Sequence, residues 1–128
     1  MTKRLKPKEK WSYWRGKCDE IFRQRAKERD RWRCVETGSG ENLQTAHIIP
    51  AGYMNTRWDF ENVVTLKSGR HKYYTHHPIE WKLFINKLKG TGYYEKMEDR
   101  AIIAKKWSTE DLKELYVKFE TDYPNKRK

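Results

Sequence analysis

Apolar residues recur at intervals of three and four along most of this chain, and stop doing so between residues 33 and 67. The first periodic stretch carries Trp11, Trp14, Cys18, Ile21, Phe22, Arg25 and Arg29 on that spacing, which predicts a helix from about Lys8 to Arg31. Its end is crowded with Arg23, Arg25, Lys27, Arg29, Arg31 and Arg33, where cations complement the helix dipole. Periodicity returns with a short helix over Ser68 to Thr75. The next helix has Pro78 in its first turn and carries Ile79, Trp81, Leu83, Phe84, Ile85 and Leu88; Gly90-Thr91-Gly92 ends it. A further helix is expected over Tyr94 to Lys105. Ser108 then opens the last one, with Asp111 three residues on as in a capping box and an apolar stripe of Leu112, Leu115, Tyr116 and Phe119.

The aperiodic middle reads differently. Arg33-Cys34-Val35 leads into turn formers from Glu36 to Asn42, and Leu43 to Ile49 returns as a strand stopped by Pro50. Residues 51–61 are irregular, and a brief apolar run, Val63 to Leu66, precedes the next helix. The expected fold class is α+β, mostly helical, with a small central hairpin and helix flanked by an N-terminal helix and C-terminal helices. One domain over 9–122 is expected, between a flexible basic arm at 1–8 and a basic tail at 123–128. A chain of 128 residues supports one modest core.

Charge narrows the partners. Lys and Arg number 29 against 18 Asp and Glu, a net +11. Such a surplus repels itself unless a polyanion relieves it, and nucleic acid does so with release of condensed counterions. An anionic membrane fits less well, because no terminal basic helix shows a clean apolar face. No apolar run approaches transmembrane length. Met1-Thr2-Lys3-Arg4-Leu5-Lys6 lacks a following apolar stretch, so no signal peptide and a cytoplasmic location are expected. Cys18 and Cys34 are then reduced thiols. Aromatics build the core of such a charge-rich chain, and where they interleave with cations, at Arg57-Trp58 and Lys72-Tyr73-Tyr74, the mixture can also stack on bases or line a phosphate track.

All four histidines lie between residues 47 and 77. His47 ends a strand in Ala46-His47-Ile48-Ile49-Pro50, Asn62 follows in a loop, and His71 stands on a helix. The order His, Asn, His on strand, loop and helix resembles the HNH nucleases, whose ββα-metal unit is a hairpin followed by a helix. Residue by residue, the resemblance implies His47 as general base and His71 as metal ligand. Asn62 would either orient the loop or bind the metal. A closer resemblance is to the NinG (Rap) phage recombination nucleases. It rests on Phe22, Arg29-Asp30, Ala46 to Pro50, Arg57-Trp58-Asp59-Phe60-Glu61-Asn62, Pro78-Ile79-Glu80-Trp81 and the helix opened by Lys106-Trp107-Ser108.

That resemblance implies a metal-dependent DNA endonuclease acting on branched or recombination-type DNA, such as Holliday junctions or D-loops, in the cytoplasm of a phage's bacterial host. A homodimer would suit such a substrate, with an exposed apolar face of the last helices as interface, unless that face packs inside. A nucleic-acid-binding module without catalysis and an RNA-directed nuclease are the alternative functions. One Mg²⁺ or Mn²⁺ is the expected cofactor, with the His71 nitrogen tilting the choice toward Mn²⁺. Many HNH proteins also hold a structural zinc by two Cys-x-x-Cys pairs. The matching positions here read Cys34-Val35-Glu36-Thr37 and Lys67-Ser68-Gly69-Arg70, so no structural zinc is expected. Packing by Trp32, Trp58, Tyr73 and Trp81 would replace it. Ala46 stands where many such sites carry an acidic or histidine ligand. His71 replaces an asparagine of the NinG pattern; His76 and His77 either add a ligand or flank Pro78 in solvent. Nucleic-acid contacts are expected from Arg57, Trp58, Arg70, Lys72 and Tyr73; for Arg57, a pair with Asp59 is an equal alternative.

Overall fold

A computed structural model describes residues 5–121. The tail at 123–128 and the first four residues of the arm lie outside them. Helix α1 (Trp11–Arg29) precedes strand β1 (Leu43–His47). Strand β2 (Val63–Lys67) runs directly into α2 (Ser68–Thr75), and α3 (Pro78–Lys89), α4 (Tyr93–Ala101) and α5 (Thr109–Thr121) complete the chain. The fold is α+β and mostly helical.

The two strands pair antiparallel, with Leu43 opposite Lys67 and His47 opposite Val63. The sheet therefore does not join residues 33–35 to 43–49, as the hairpin reading expected. Arg31 and Trp32 adopt left-handed φ values of 58° and 55°, which turn the chain sharply out of α1. Cys34 then closes a tight turn, its N–H donating to the Ser39 carbonyl while Gly38 N–H donates back to the Cys34 carbonyl. Val35 bonds the sheet through its backbone, donating its N–H to the Thr65 carbonyl at 2.9 Å, and Cys34 packs with Ala46, Val64 and Leu66. The true partner of β1 is the apolar run at 63–66. Its residues are buried on both faces, so it lacks the alternation that marks a half-exposed strand.

The sheet is packed from both sides. Ala46, Ile48, Val64 and Leu66 join Tyr74 of α2, Trp81 and Ile85 of α3 and Met97 of α4 in one cluster. Phe22 and Ala26 of α1 meet Trp58, Val63, Leu112 and Phe119 in the other. The apolar stripe of α5 is thus spent inside against α1, the second of the two alternatives for that face. Ser108 and Asp111 form the expected reciprocal cap: Asp111 N–H donates to Ser108 Oγ at 3.0 Å, and Ser108 N–H to Asp111 Oδ2 at 2.9 Å. Helix α4 stops at Ala101, short of Lys105. Asn55 Nδ2 caps it by donating to the Arg100 carbonyl at 2.8 Å, and the Trp107 ring meets Trp58 edge-on beyond it. Among the described residues no helix is long and apolar enough to cross a membrane.

Candidate active site

The end of β1 is held from three directions. Phe22 of α1 stacks on the His47 ring, centroids 5.8 Å apart. Trp81 Nε1–H of α3 donates to the Ile48 carbonyl at 2.9 Å. Ile48 N–H donates to the Asn62 carbonyl at 2.8 Å, extending the β ladder past its last pair. His47 and His71 line one cleft of about 410 Å³, together with Thr45, Pro50, Ala51, Thr75 and Trp81. Two of the three residues singled out in the sequence therefore meet in one concavity.

Each ring has one nitrogen committed and one available. His47 Nε2 lies 2.8 Å from the Arg57 carbonyl, which can only accept, so Nε2 carries the proton and Nδ1 the lone pair. His71 Nδ1 lies 2.7 Å from Gln44 Oε1, which leaves Nε2 as its free donor atom. Burial pushes His47 below its ordinary value of 6.5, and the charges of Arg57 and Arg23 add to that; the Arg57 hydrogen bond and Asp19 oppose it. Burial also lowers His71. Both imidazoles are consequently neutral at neutral pH, the form a general base or a metal ligand needs.

Asn62 is fully buried, and its amide is spent on the loop. Oδ1 accepts the Ile49 N–H at 2.9 Å, while Nδ2 donates to the Ile49 carbonyl at 3.0 Å and the Thr56 carbonyl at 3.2 Å. Of the two roles the resemblance offered, the geometry leaves loop orientation and removes metal ligation. The ligand atom would be Oδ1, which is enclosed and already bonded. Among the described residues no three His, Cys, Asp or Glu side chains gather around a common point. A divalent ion at this cleft would have His71 Nε2 as its protein ligand and take its other ligands from water and phosphate oxygens, a nitrogen-bearing set that suits Mn²⁺ better than Mg²⁺.

Most of the expected nucleic-acid contacts are occupied elsewhere. Arg57 forms a two-pronged pair with Asp19, Nε to Oδ1 at 3.0 Å and Nη2 to Oδ2 at 2.7 Å, and gives Nη1 to the Ala51 carbonyl. Asp59, its expected alternative partner, pairs with Arg100 at 2.6 Å. Trp58 is buried and donates Nε1–H to Asp19 Oδ1. Tyr73 bonds Glu80 and stacks on His77 with centroids 4.0 Å apart. Lys72 alone of the five is exposed and unpaired among the described residues. His76 and His77 are exposed and outside the cleft lining, which matches the solvent alternative.

Arg70 explains how the site is braced. Its Nε reaches Glu36 Oε1 at 2.5 Å and its Nη2 reaches Oε2 at 3.2 Å, while Tyr74 Oη–H donates to Glu36 Oε2. Arg70 and Glu36 thus join the two segments, 34–37 and 67–70, where the resemblance places zinc cysteines. Cys34 Sγ keeps a knuckle-like turn, accepting the Thr37 N–H at 3.4 Å. Of the aromatics expected to brace this region, Trp81 and Tyr73 pack in the same cluster as Cys34, whereas Trp32 is 49% exposed and Trp58 lies in the α1–α5 cluster. An ion pair with rings beneath it does the bracing, Arg70 lying 4.6 Å over Tyr73 and 5.1 Å over Tyr74.

Sequence reasoning missed Asp19, Gln44 and Glu36 as supports. Asp19 precedes Phe22 by three positions, so one face of α1 carries both the ring on His47 and the carboxylate on Arg57. Gln44 lies three residues before His47, and only the structure shows that it meets His71 across the strand and helix. Comparison with protein-family models, curated proteins and solved structures returned no match for this chain.

Proposed function

We propose that this protein is a metal-dependent endonuclease that hydrolyses DNA phosphodiesters at the cleft between β1 and α2. The observation that carries the reading is the pairing of two neutral histidines in one cleft, each with one ring nitrogen anchored and the other free. His47 Nδ1 takes the proton of an attacking water, and the Arg57 carbonyl steadies the imidazolium that forms. His71 Nε2 and the phosphate oxygens would hold one divalent ion, whose charge neutralises the phosphate and the leaving oxygen. Asn62 keeps Ile49 and Thr56 in place, so the loop that supplies the Arg57 carbonyl cannot drift from His47. The net charge of +11 supplies attraction to a polyanion, and the resemblance to phage recombination nucleases supports branched DNA as its form.

A second reading is favoured by one observation. With Ala46 before His47 and Asn62 sealed, the protein donates few ligands, which suits a module that only binds nucleic acid. Cleavage of plasmid, a four-way junction and RNA in Mg²⁺, Mn²⁺ or EDTA separates these. The nuclease reading expects EDTA-sensitive cutting of DNA. Binding without cutting under every condition supports the module, and cutting of RNA alone supports an RNA-directed enzyme.

A further inference from the structure

The cleft runs along the outer edge of β1, and the ladder tells which main-chain groups that edge carries. Ile48 N–H donates to the Asn62 carbonyl and Ser68 N–H to the Asn42 carbonyl, so bonded pairs bracket β1 at even positions. Antiparallel pairs alternate between bonded and unbonded. With the register of β1 on β2, the bonded ones are Gln44 with Leu66 and Ala46 with Val64. The odd residues of both strands therefore turn their N–H and C=O away from the ladder. On β2 those groups are taken. Val35 N–H and Arg29 Nη2 donate to the Thr65 and Val63 carbonyls, and Thr65 N–H donates to Asp30 Oδ2. On β1 the main chains of Thr45 and His47 have no such partner among the described residues. An open edge of this kind suits a ligand that carries both donors and acceptors. The consecutive residues Thr45 to Ile48 all line the cleft although their side chains alternate between faces, which places the edge at its floor. Pro78, Trp81 and Tyr94 wall the other side, and the Tyr94 hydroxyl bonds no described residue. The volume of about 410 Å³ falls in the range of roughly 300–1,000 Å³ usual for small-molecule pockets. A nucleobase is flat, stacks through its faces and carries donors and acceptors along its edge. In a duplex that edge is paired and those faces are covered, so only an unpaired base can enter such a pocket.

We propose that the open edge of β1 and the aromatic wall opposite it form a pocket for one unpaired base beside the scissile phosphate. His47 and His71 line the same cleft, so the base and the phosphate of one nucleotide share it. The net charge of +11 favours a polyanion over a peptide strand as the occupant. That the phosphate is scissile rests on the nuclease reading, whereas the pocket is tested without catalysis. Affinity is measured in EDTA for three forms of one DNA: a perfect duplex, the duplex with one unpaired adenine nucleotide, and the same bulge lacking its base. The abasic bulge keeps the phosphate and the kink, so it isolates the base. Wild type is expected to bind the perfect duplex and the abasic bulge alike, and the bulged adenine about 10-fold tighter, the scale of one base–aromatic contact. Thr45→Pro removes one outward N–H and no ladder bond, a change that edge strands tolerate. It is expected to lose most of that preference at unchanged abasic-bulge affinity, and Thr45→Val, which retains the N–H, keeps the preference. Ala51→Leu narrows the cleft from the loop without altering β1, and is expected to lose the preference as well. Equal wild-type affinity for the two bulges overturns the pocket, as does a full preference in folded Thr45→Pro or Ala51→Leu. A wild type that sediments as a dimer, shows no base preference and becomes monomeric as Thr45→Pro gives the edge to a second copy of this chain and also overturns it. A wild type with the preference that cuts none of these DNAs in Mn²⁺ refutes the nuclease reading and leaves the pocket standing.

Discussion

Asn62→Asp separates a loop clamp from a metal ligand better than truncation does, because the shape of the side chain barely changes. The amide Nδ2 donates to two carbonyls, those of Ile49 and Thr56, at 3.0 and 3.2 Å. The introduced carboxyl offers both carbonyls an acceptor instead. Each carbonyl left without its donor in a buried site costs about 1–3 kcal/mol. Two such losses in a fully buried position sum to about 2–6 kcal/mol, a large share of the roughly 5–15 kcal/mol that holds a domain together. At roughly 3–5 °C per kcal/mol for a chain of this size, thermal unfolding by circular dichroism should fall by about 6–30 °C.

The pH dependence has a definite sign. Burial without a counter-charge raises the carboxyl's folded pKa above its unfolded value, so the penalty is smallest in acid and grows as pH rises above about 4. A ligand role makes opposite predictions, since a carboxylate binds Mn²⁺ better than an amide does. Wild-type melting with tighter Mn²⁺ binding by calorimetry would refute the clamp reasoning.

The remaining predictions concern the base and the brace. His47 lies below 6.5 in the folded protein, so its neutral form persists in mild acid, and the acidic limb of kcat/KM should fall below pH 6.5. The unfolded chain takes up that proton first, so stability declines as pH drops from 6.5 toward the folded value. An NMR titration of the His47 ring in EDTA at or above 6.5 would contradict both statements. Glu36→Ala removes the acceptor of Arg70 and of the buried Tyr74 hydroxyl, and should cost about 1–3 kcal/mol by chemical denaturation. Arg70 holds the Glu36 carboxyl below its usual 4.5, so this contribution is present above that pH and disappears as pH falls through the depressed value. A double-mutant cycle of Glu36→Ala with Arg70→Ala that shows no coupling would remove the brace from the account.

Local chemistry was legible in the sequence where a single segment determines the outcome. Helix α2 spans the Ser68–Thr75 expected of it, and the Ser108–Asp111 cap forms as its spacing implies. Long-range pairing was not legible. Val63 to Leu66 is covered by helices on both faces, so its burial erased the alternation that would have marked it as the partner of β1. The side-chain partners are hidden for the same reason. Arg57 meets Asp19 across 38 positions and Arg70 meets Glu36 across 34, and charge composition alone cannot say which carboxylate captures which guanidinium. The histidines were found because they are scarce and ordered. Their supports, Gln44 and the Arg57 carbonyl, became visible only once β1, the 48–62 loop and α2 were placed together.

Everything assigned to the cleft depends on His47 moving a proton without being needed for binding. Single-turnover cleavage of a four-way junction by wild type and His47→Ala in Mn²⁺, paired with junction affinity in EDTA, tests that directly. The account predicts at least about a 10²–10⁴-fold loss in cleavage rate for His47→Ala at nearly unchanged affinity. Wild-type cleavage by a purified, folded His47→Ala protein would contradict it.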